Sequence, residues 1–174
     1  MASRRKGRIL AFQALYSWDT GYSQTGEKTI PDGLLDFPWL EPPAEPRSGE
    51  AYGSPPVQTK PLDEETVVFS RLLVNGTIEN IDTVDSMIGK HLVNWELKRL
   101  NRVDLAVLRM SVFTLMFQTD MHPSIVIDEA VELSKEFGTD DSYRFVNGVL
   151  DGIRKTLALG TASQGDYPGS RTSQ

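Results

Sequence analysis

The stretch Asn101-Arg102-Val103-Asp104-Leu105-Ala106-Val107-Leu108-Arg109-Met110-Ser111-Val112-Phe113-Thr114-Leu115-Met116-Phe117 decides the architecture. Leu105, Leu108, Val112, Leu115 and Met116 recur at the spacing of one helical face, and Val107, Met110, Phe113 and Phe117 fill the other side. A helix apolar nearly all round has to be covered by neighbours, so this one belongs at the centre of a helical bundle. Asn101 can accept from the free N–H groups of the first turn, which predicts a helix from Arg102 to about Gln118. Arg109 lies about 40° from Leu105 around a helix of 3.6 residues per turn, close to the apolar stripe. A guanidinium in that position needs a buried partner, and Glu129, at the edge of the next helix's core face, is the expected carboxylate.

Helical periodicity continues on both sides. Pro123 opens a helix with the core face Val126, Ala130, Leu133 and Phe137. Gly138 is expected as a left-handed residue closing that helix, and Thr139 as the cap of the last one. The last helix carries the stripe Val146, Val149, Leu150 and Ile153, with Leu157 a turn later. Upstream, Asp63-Glu64-Glu65 puts acids where a helix N-terminus favours them, ahead of Val67, Val68, Phe69, Leu72 and Leu73. Another helix begins near Asp82 with Val84, Met87 and Ile88, and Trp95 to Leu100 reads as a short turn. No period-2 run bounded by turns predicts a strand. The fold class is all-α.

Charge is distributed unevenly along the 174 residues. The net charge is −6, yet residues 1–18 hold Arg4, Arg5, Lys6 and Arg8 with no acid, whereas 19–66 carry −7. That acidic stretch also contains eight of the ten prolines, so 20–62 is read as an irregular connection inserted after the first helix. Leu34, Leu35, Phe37 and Trp39 form an apolar cluster within it that can dock locally. Ile9, Phe12, Leu15 and Tyr16 are spaced as the inward face of a helix, which argues against an export signal and for a mature basic amphipathic helix. Residues 158–174 read as a frayed tail, and 1–157 as one helical domain.

The chemistry of catalysis is missing from the pattern. Zero cysteines exclude thiol catalysis, Cys-ligated metals and disulfides, and fit a reducing cytoplasm. His91 and His122 stand alone, and no phosphate loop, nucleophile elbow or dinucleotide fingerprint occurs. Glu129, Glu132 and Glu136 are read as a solvated acidic face rather than a carboxylate metal site, which in a bundle also wants Glu-x-x-His pairs. No catalytic residue, metal, cofactor or membrane span is expected. The N-terminal cations are the strongest local signal. Arg4 and Arg8 at i, i+4, with Arg5 and Lys6 beside them, can line a helix side that binds phosphates.

Specific blocks of sequence then converge on one family. Arg4-Arg5-Lys6-Gly7-Arg8 with Gln13-Ala14-Leu15-Tyr16-Ser17-Trp18, then Leu105-Ala106-Val107-Leu108-Arg109, then Ile127-Asp128-Glu129-Ala130-Val131-Glu132-Leu133, resemble the bacterial antitermination factors of the NusB family. The most specific block is Phe137-Gly138-Thr139-Asp140-Asp141-Ser142-Tyr143-Arg144-Phe145-Val146-Asn147-Gly148-Val149-Leu150-Asp151. The resemblance covers about 4–18 and 66–157, in the family's order, and departs from it in the long acidic connection and the polar tail.

That resemblance implies an all-helical fold of two small bundles and a non-enzymatic, cytoplasmic role. It implies binding of the boxA element of ribosomal RNA leader transcripts together with a small-subunit ribosomal protein, NusE. It further implies joining the elongating RNA polymerase with other Nus factors to suppress premature termination. RNA contacts would fall on Arg4, Arg5, Lys6 and Arg8, and at the start of the last helix on Asp141, Arg144 and Phe145. Periodicity alone puts Phe145 on the flank of the core stripe; the resemblance would let its ring stack on a base. His91, Lys98 and Asp104 align with the region that meets the ribosomal protein. Two other readings stay open: a helical interaction or homodimerisation module without RNA binding, and a detached NusB-like domain of an RNA cytosine methyltransferase.

Overall fold

The computed structural model describes residues 2–21, 28–37 and 62–164, with side chains from Arg4 to Gly160. Every regular element among these residues is helical, as the periodicity predicts. The chain divides into two compact units, Met1–Glu79 and Asn80–Gln174.

The first unit pairs α1 (Ala2–Gly21) with α2 (Glu64–Glu79). Asp63 starts α2 as expected of an acid at a helix N-terminus: its carboxylate accepts from the Thr66 backbone N–H and hydroxyl, each at 2.8 Å. The inward face of α1 keeps Phe12 and Leu15 of the predicted stripe but not Ile9 and Tyr16. Gly7, Ala11, Ala14 and Trp18, at i, i+4, i+7 and i+11, are buried together with Leu10, Phe12 and Leu15, while Tyr16 is exposed and Ile9 half-buried. The packed face combines bulky residues with the small Gly7, Ala11 and Ala14, which the spacing of large apolar side chains does not mark.

Between these helices, residues 28–37 dock on the unit through a 3-10 turn, Leu34–Asp36. Leu34 and Phe37 are buried, as the apolar cluster predicts. The Trp18 indole N–H donates to the Thr29 carbonyl (3.2 Å), and Arg71 of α2 donates to the Leu35 carbonyl (3.1 Å) and to Asp36 (3.0 Å). Gly33 sits at φ +80°, a left-handed conformation that favours glycine. Trp39 and most of the acidic connection lie outside the described residues.

In the second unit, α4 (Arg102–Phe117) packs against α3 (Ile81–Lys90), α5 (Pro123–Phe137) and α6 (Ser142–Gln164). Its residues from Asp104 to Thr114 are all buried, the polar Asp104, Arg109, Ser111 and Thr114 among them, as expected of a helix covered by neighbours. Asn101 caps it by accepting from the Val103 N–H at 2.9 Å. A 3-10 turn, Leu97–Arg99, occupies the segment read as a short turn.

Two expectations at the helix ends are corrected. Gly138 is extended, with φ −91° and ψ −168°, not left-handed. Its glycine is explained by space: a Cβ there would lie 2.5 Å from the Ser142 Cβ and 2.6 Å from the Ser134 carbonyl oxygen. Likewise Thr139 does not open the last helix directly. The Ser142 hydroxyl folds back to accept from the Thr139 N–H at 2.9 Å, and α6 begins at Ser142, two residues later than a Thr139 cap would place it. At its far end α6 runs on to Gln164, so the tail is helical past residue 158; 165–174 are outside the described residues.

Candidate nucleic-acid interface

The basic turns of α1 are organised by α2. Gly7 leaves room for the Phe69 ring, whose Cδ1 would sit 2.6 Å from a Cβ at that position. The neighbouring Ser70 hydroxyl donates to the Gly7 carbonyl at 3.0 Å, fixing the backbone of the same turn. The guanidinium carbons of Arg4 and Arg8 lie 5.6 and 5.5 Å from the centroid of that one ring. A cation held over an aromatic face gains about 0.5–1 kcal/mol where exposed and more where desolvated.

Burial then separates the four cations. Arg4 and Lys6 are exposed, Arg5 is half-buried, and Arg8 is only 6% exposed. Arg8 thus belongs to the packing of the first unit, while Arg4 and Lys6 face solvent. The sequence carried no sign of this, because Phe69 reads as one more apolar residue of α2.

On the second unit, Asp141, Arg144 and Phe145 cluster at the start of α6. Asp141 and Arg144 are exposed and 3.6 Å apart as an i, i+3 ion pair, which in solvent contributes little stability. Arg144 also donates through Nε to the Tyr143 hydroxyl (2.9 Å), with its guanidinium over the Tyr143 ring at 5.4 Å. Phe145 is half-buried. It lines a cleft of about 490 Å³ together with Trp95, Arg99, Asp104, Asp141 and Ser142. Its periodicity pointed to the core and its family position to the surface, and the side chain occupies the boundary between them.

The residues aligned with a protein-partner region are placed differently from one another. Lys98 is exposed on the 3-10 turn. His91, closing α3, is half-buried and bonded at both ring nitrogens, to the Met87 carbonyl at 2.9 Å and the Thr156 hydroxyl at 2.8 Å. Asp104 is only 7% exposed and lines the cleft beside Phe145. Desolvation raises its pKa above the ordinary carboxylate value, partly offset by a hydrogen bond from Ser142. Its Oδ1 has no hydrogen-bond partner among the described residues.

Arg109 is buried in the second unit, as its position on the stripe predicts. The carboxylate that grips it in two places is Asp85 of α3, which sequence reasoning did not name; Glu129 is half-buried on α5. Glu132 and Lys135 form an exposed i, i+3 pair at 2.8 Å. No group of three or more potential metal-ligating side chains occurs among the described residues.

With this geometry in place, comparison with known proteins locates the chain. A family profile described as the NusB family matches residues 5–155. A Treponema denticola protein named "Transcription antitermination protein NusB" is 46% identical over 151 residues, 87% of this chain and 95% of that protein. A protein of the same name from Treponema pallidum (strain Nichols) is 44% identical over 153 residues, 88% of this chain and 93% of that one. Among solved structures, T. maritima NusB matches with TM-score 0.66 and 31% identity, covering 87% of this chain and 90% of that one. A structure described as the antitermination factors NusB and NusE in complex with dsRNA matches with TM-score 0.66 and 26% identity, covering 90% of this chain and 98% of that one.

Proposed function

The chain belongs to the NusB family, and from that membership we propose that it is a transcription antitermination factor. It binds the boxA RNA of ribosomal RNA leader transcripts together with the small-subunit ribosomal protein NusE, and the complex joins the elongating RNA polymerase with other Nus factors. The observation that carries this reading is the likeness, over nearly the whole chain, to a NusB solved with NusE and RNA. The role is one of binding, not catalysis. It is carried out in the cytoplasm, where transcripts are made, and among the described residues no helix is long and apolar enough to cross a membrane.

The two surfaces divide the work. Arg4 and Lys6, with Arg5 beside them, meet phosphates, because guanidinium and ammonium groups bind them through charge-assisted hydrogen bonds. Asp141, Arg144 and Phe145 act on bases and backbone at the start of α6: the carboxylate accepts from base amino groups and the ring stacks. The NusE surface includes Lys98 and the neighbouring exposed turn.

The test is binding of a short boxA RNA against a scrambled sequence, with and without purified NusE, at two salt concentrations. Preference for boxA that tightens with NusE is expected. Binding indifferent to sequence and partner would reject the antitermination role. A chain that dimerises and ignores RNA would favour the interaction-module alternative.

A further inference from the structure

We propose that Phe69 is a positioning residue for RNA binding, holding the Arg4 guanidinium in a phosphate-ready arrangement while Arg8 anchors the turn below it. This inference rests on the reading of α1 as an RNA surface. Arg4 and Arg8 are one helical turn apart, and both guanidiniums lie within 5.6 Å of the centroid of the same ring. Their environments differ sharply, since Arg8 is buried and Arg4 exposed. The ring can reach α1 only because residue 7 is glycine, and the Ser70 hydroxyl ties the Gly7 carbonyl to the next residue of α2. Phe69 is therefore set on α1 by two independent contacts at the same turn.

Attraction between a guanidinium and a ring face uses the cation's charge but none of its N–H donors. Arg4 thus keeps its planar fork of donors for a bidentate phosphate contact. A long side chain that would otherwise sample many rotamers is confined before RNA arrives, and binding then loses less conformational freedom. Arg8, enclosed beside the same ring, supplies a fixed base for the arrangement instead of a contact of its own.

The experiment measures affinity of the full chain for a short single-stranded boxA RNA by fluorescence anisotropy in four proteins: wild type, Arg4→Ala, Phe69→Leu and the double variant. Phe69→Leu is expected to weaken binding about three- to tenfold, the range for freeing one long side chain. The double variant is expected to bind no more weakly than Arg4→Ala alone. Phe69→Tyr, which keeps the ring, is expected to restore binding to within about twofold of wild type, again from retained pre-organisation. Phe69→Met replaces the leucine variant if leucine prevents folding, and the upfield ring-current shift of the Arg4 Nε–H resonance in the unbound protein is expected to disappear with the ring. Additive effects of Phe69→Leu and Arg4→Ala would overturn the proposal, as would an Arg4 resonance indifferent to the ring. An affinity that Arg4→Ala leaves unchanged would overturn it while leaving RNA recognition to the other cations. Failure of the wild-type protein to bind boxA RNA at all would instead remove the RNA reading itself, and this inference with it.

Discussion

Arg109 of α4 and Asp85 of α3 close a bidentate ion pair inside the second unit, with Nε and a terminal nitrogen 2.8 and 2.7 Å from the two carboxylate oxygens. The guanidinium side chain is 9% exposed and the carboxylate 23%. Such a pair is a weak source of net stability, because both charges leave water, but removing one partner leaves the other's buried charge less compensated. Asp85→Ala is therefore expected to destabilise the protein by about 2–4 kcal/mol, somewhat under the fully buried range because Asp85 keeps some solvent. Arg109→Lys should also destabilise it, since an ammonium cannot reproduce the planar fork. Urea unfolding of each variant checks both expectations; an Asp85→Ala protein as stable as wild type would contradict the role given to the pair.

The tight turn between α5 and α6 makes Gly138 hard to replace. Gly138→Ala would drive a methyl into the Ser134 carbonyl, which is backbone and cannot swing aside, and into the Ser142 side chain. An overpacking cost of about 1–3 kcal/mol is expected, read as a lowered midpoint in denaturant. Because Ser142 begins α6, the same change should also weaken RNA binding at Asp141, Arg144 and Phe145.

The separation of the N-terminal cations can be read in salt. On single-stranded RNA, each phosphate contact contributes roughly −0.7 to the slope of log affinity against log salt. Arg4→Ala and Lys6→Ala are each expected to reduce the slope by about that amount. Arg8→Ala should lower the melting temperature and leave the slope nearly unchanged, because Arg8 is enclosed in the first unit. Equal slope changes for Arg4 and Arg8 would contradict that division.

Phe145 offers a test confined to the ring. Phe145→Leu keeps an apolar side chain at the boundary of the core but removes the stacking face. Loss of about 1–3 kcal/mol in boxA affinity is expected, the usual worth of stacking one base, with little change in salt slope. Unaltered affinity would return Phe145 to a packing role.

Asp104 links stability to pH with an unusual sign. Burial raises its pKa in the folded protein, so the folded state binds the proton more tightly than the unfolded one. Its contribution is fully present below the unfolded carboxylate pKa and is lost as pH rises through the raised folded value. Asp104→Asn is thus expected to stabilise the protein at neutral pH and to give no advantage in acid below the unfolded pKa. Urea midpoints of both proteins across that pH range measure the difference, and a constant gap between them would contradict the linkage.

Several elements were legible before any coordinates. α4 was readable because apolar residues recur on nearly every side of it, and Asn101 announces its start. α5 was readable from Pro123 and the spacing of Val126, Ala130 and Leu133, all buried. The candidate RNA residues were visible through resemblance more than through physics, since four arginine and lysine residues at a terminus make a common pattern.

Sequence by itself determined that this protein is helical, that α4 lies at the centre of its bundle, and that α1 begins with a cluster of cations. Each of these is a local property, set by the periodicity of side chains along one segment and by the chemistry at its ends. Tertiary structure decided which of those cations reach solvent, which acid grips Arg109 in two places, and why residue 138 is glycine. The first two depend on side chains distant in sequence, Phe69 beneath Arg4 and Arg8 and Asp85 against Arg109, and the third on how the turn between α5 and α6 folds Ser142 back on the Thr139 backbone. Periodicity along one helix says which face turns inward, but the residue it meets belongs to another segment, and only packing brings the two within reach.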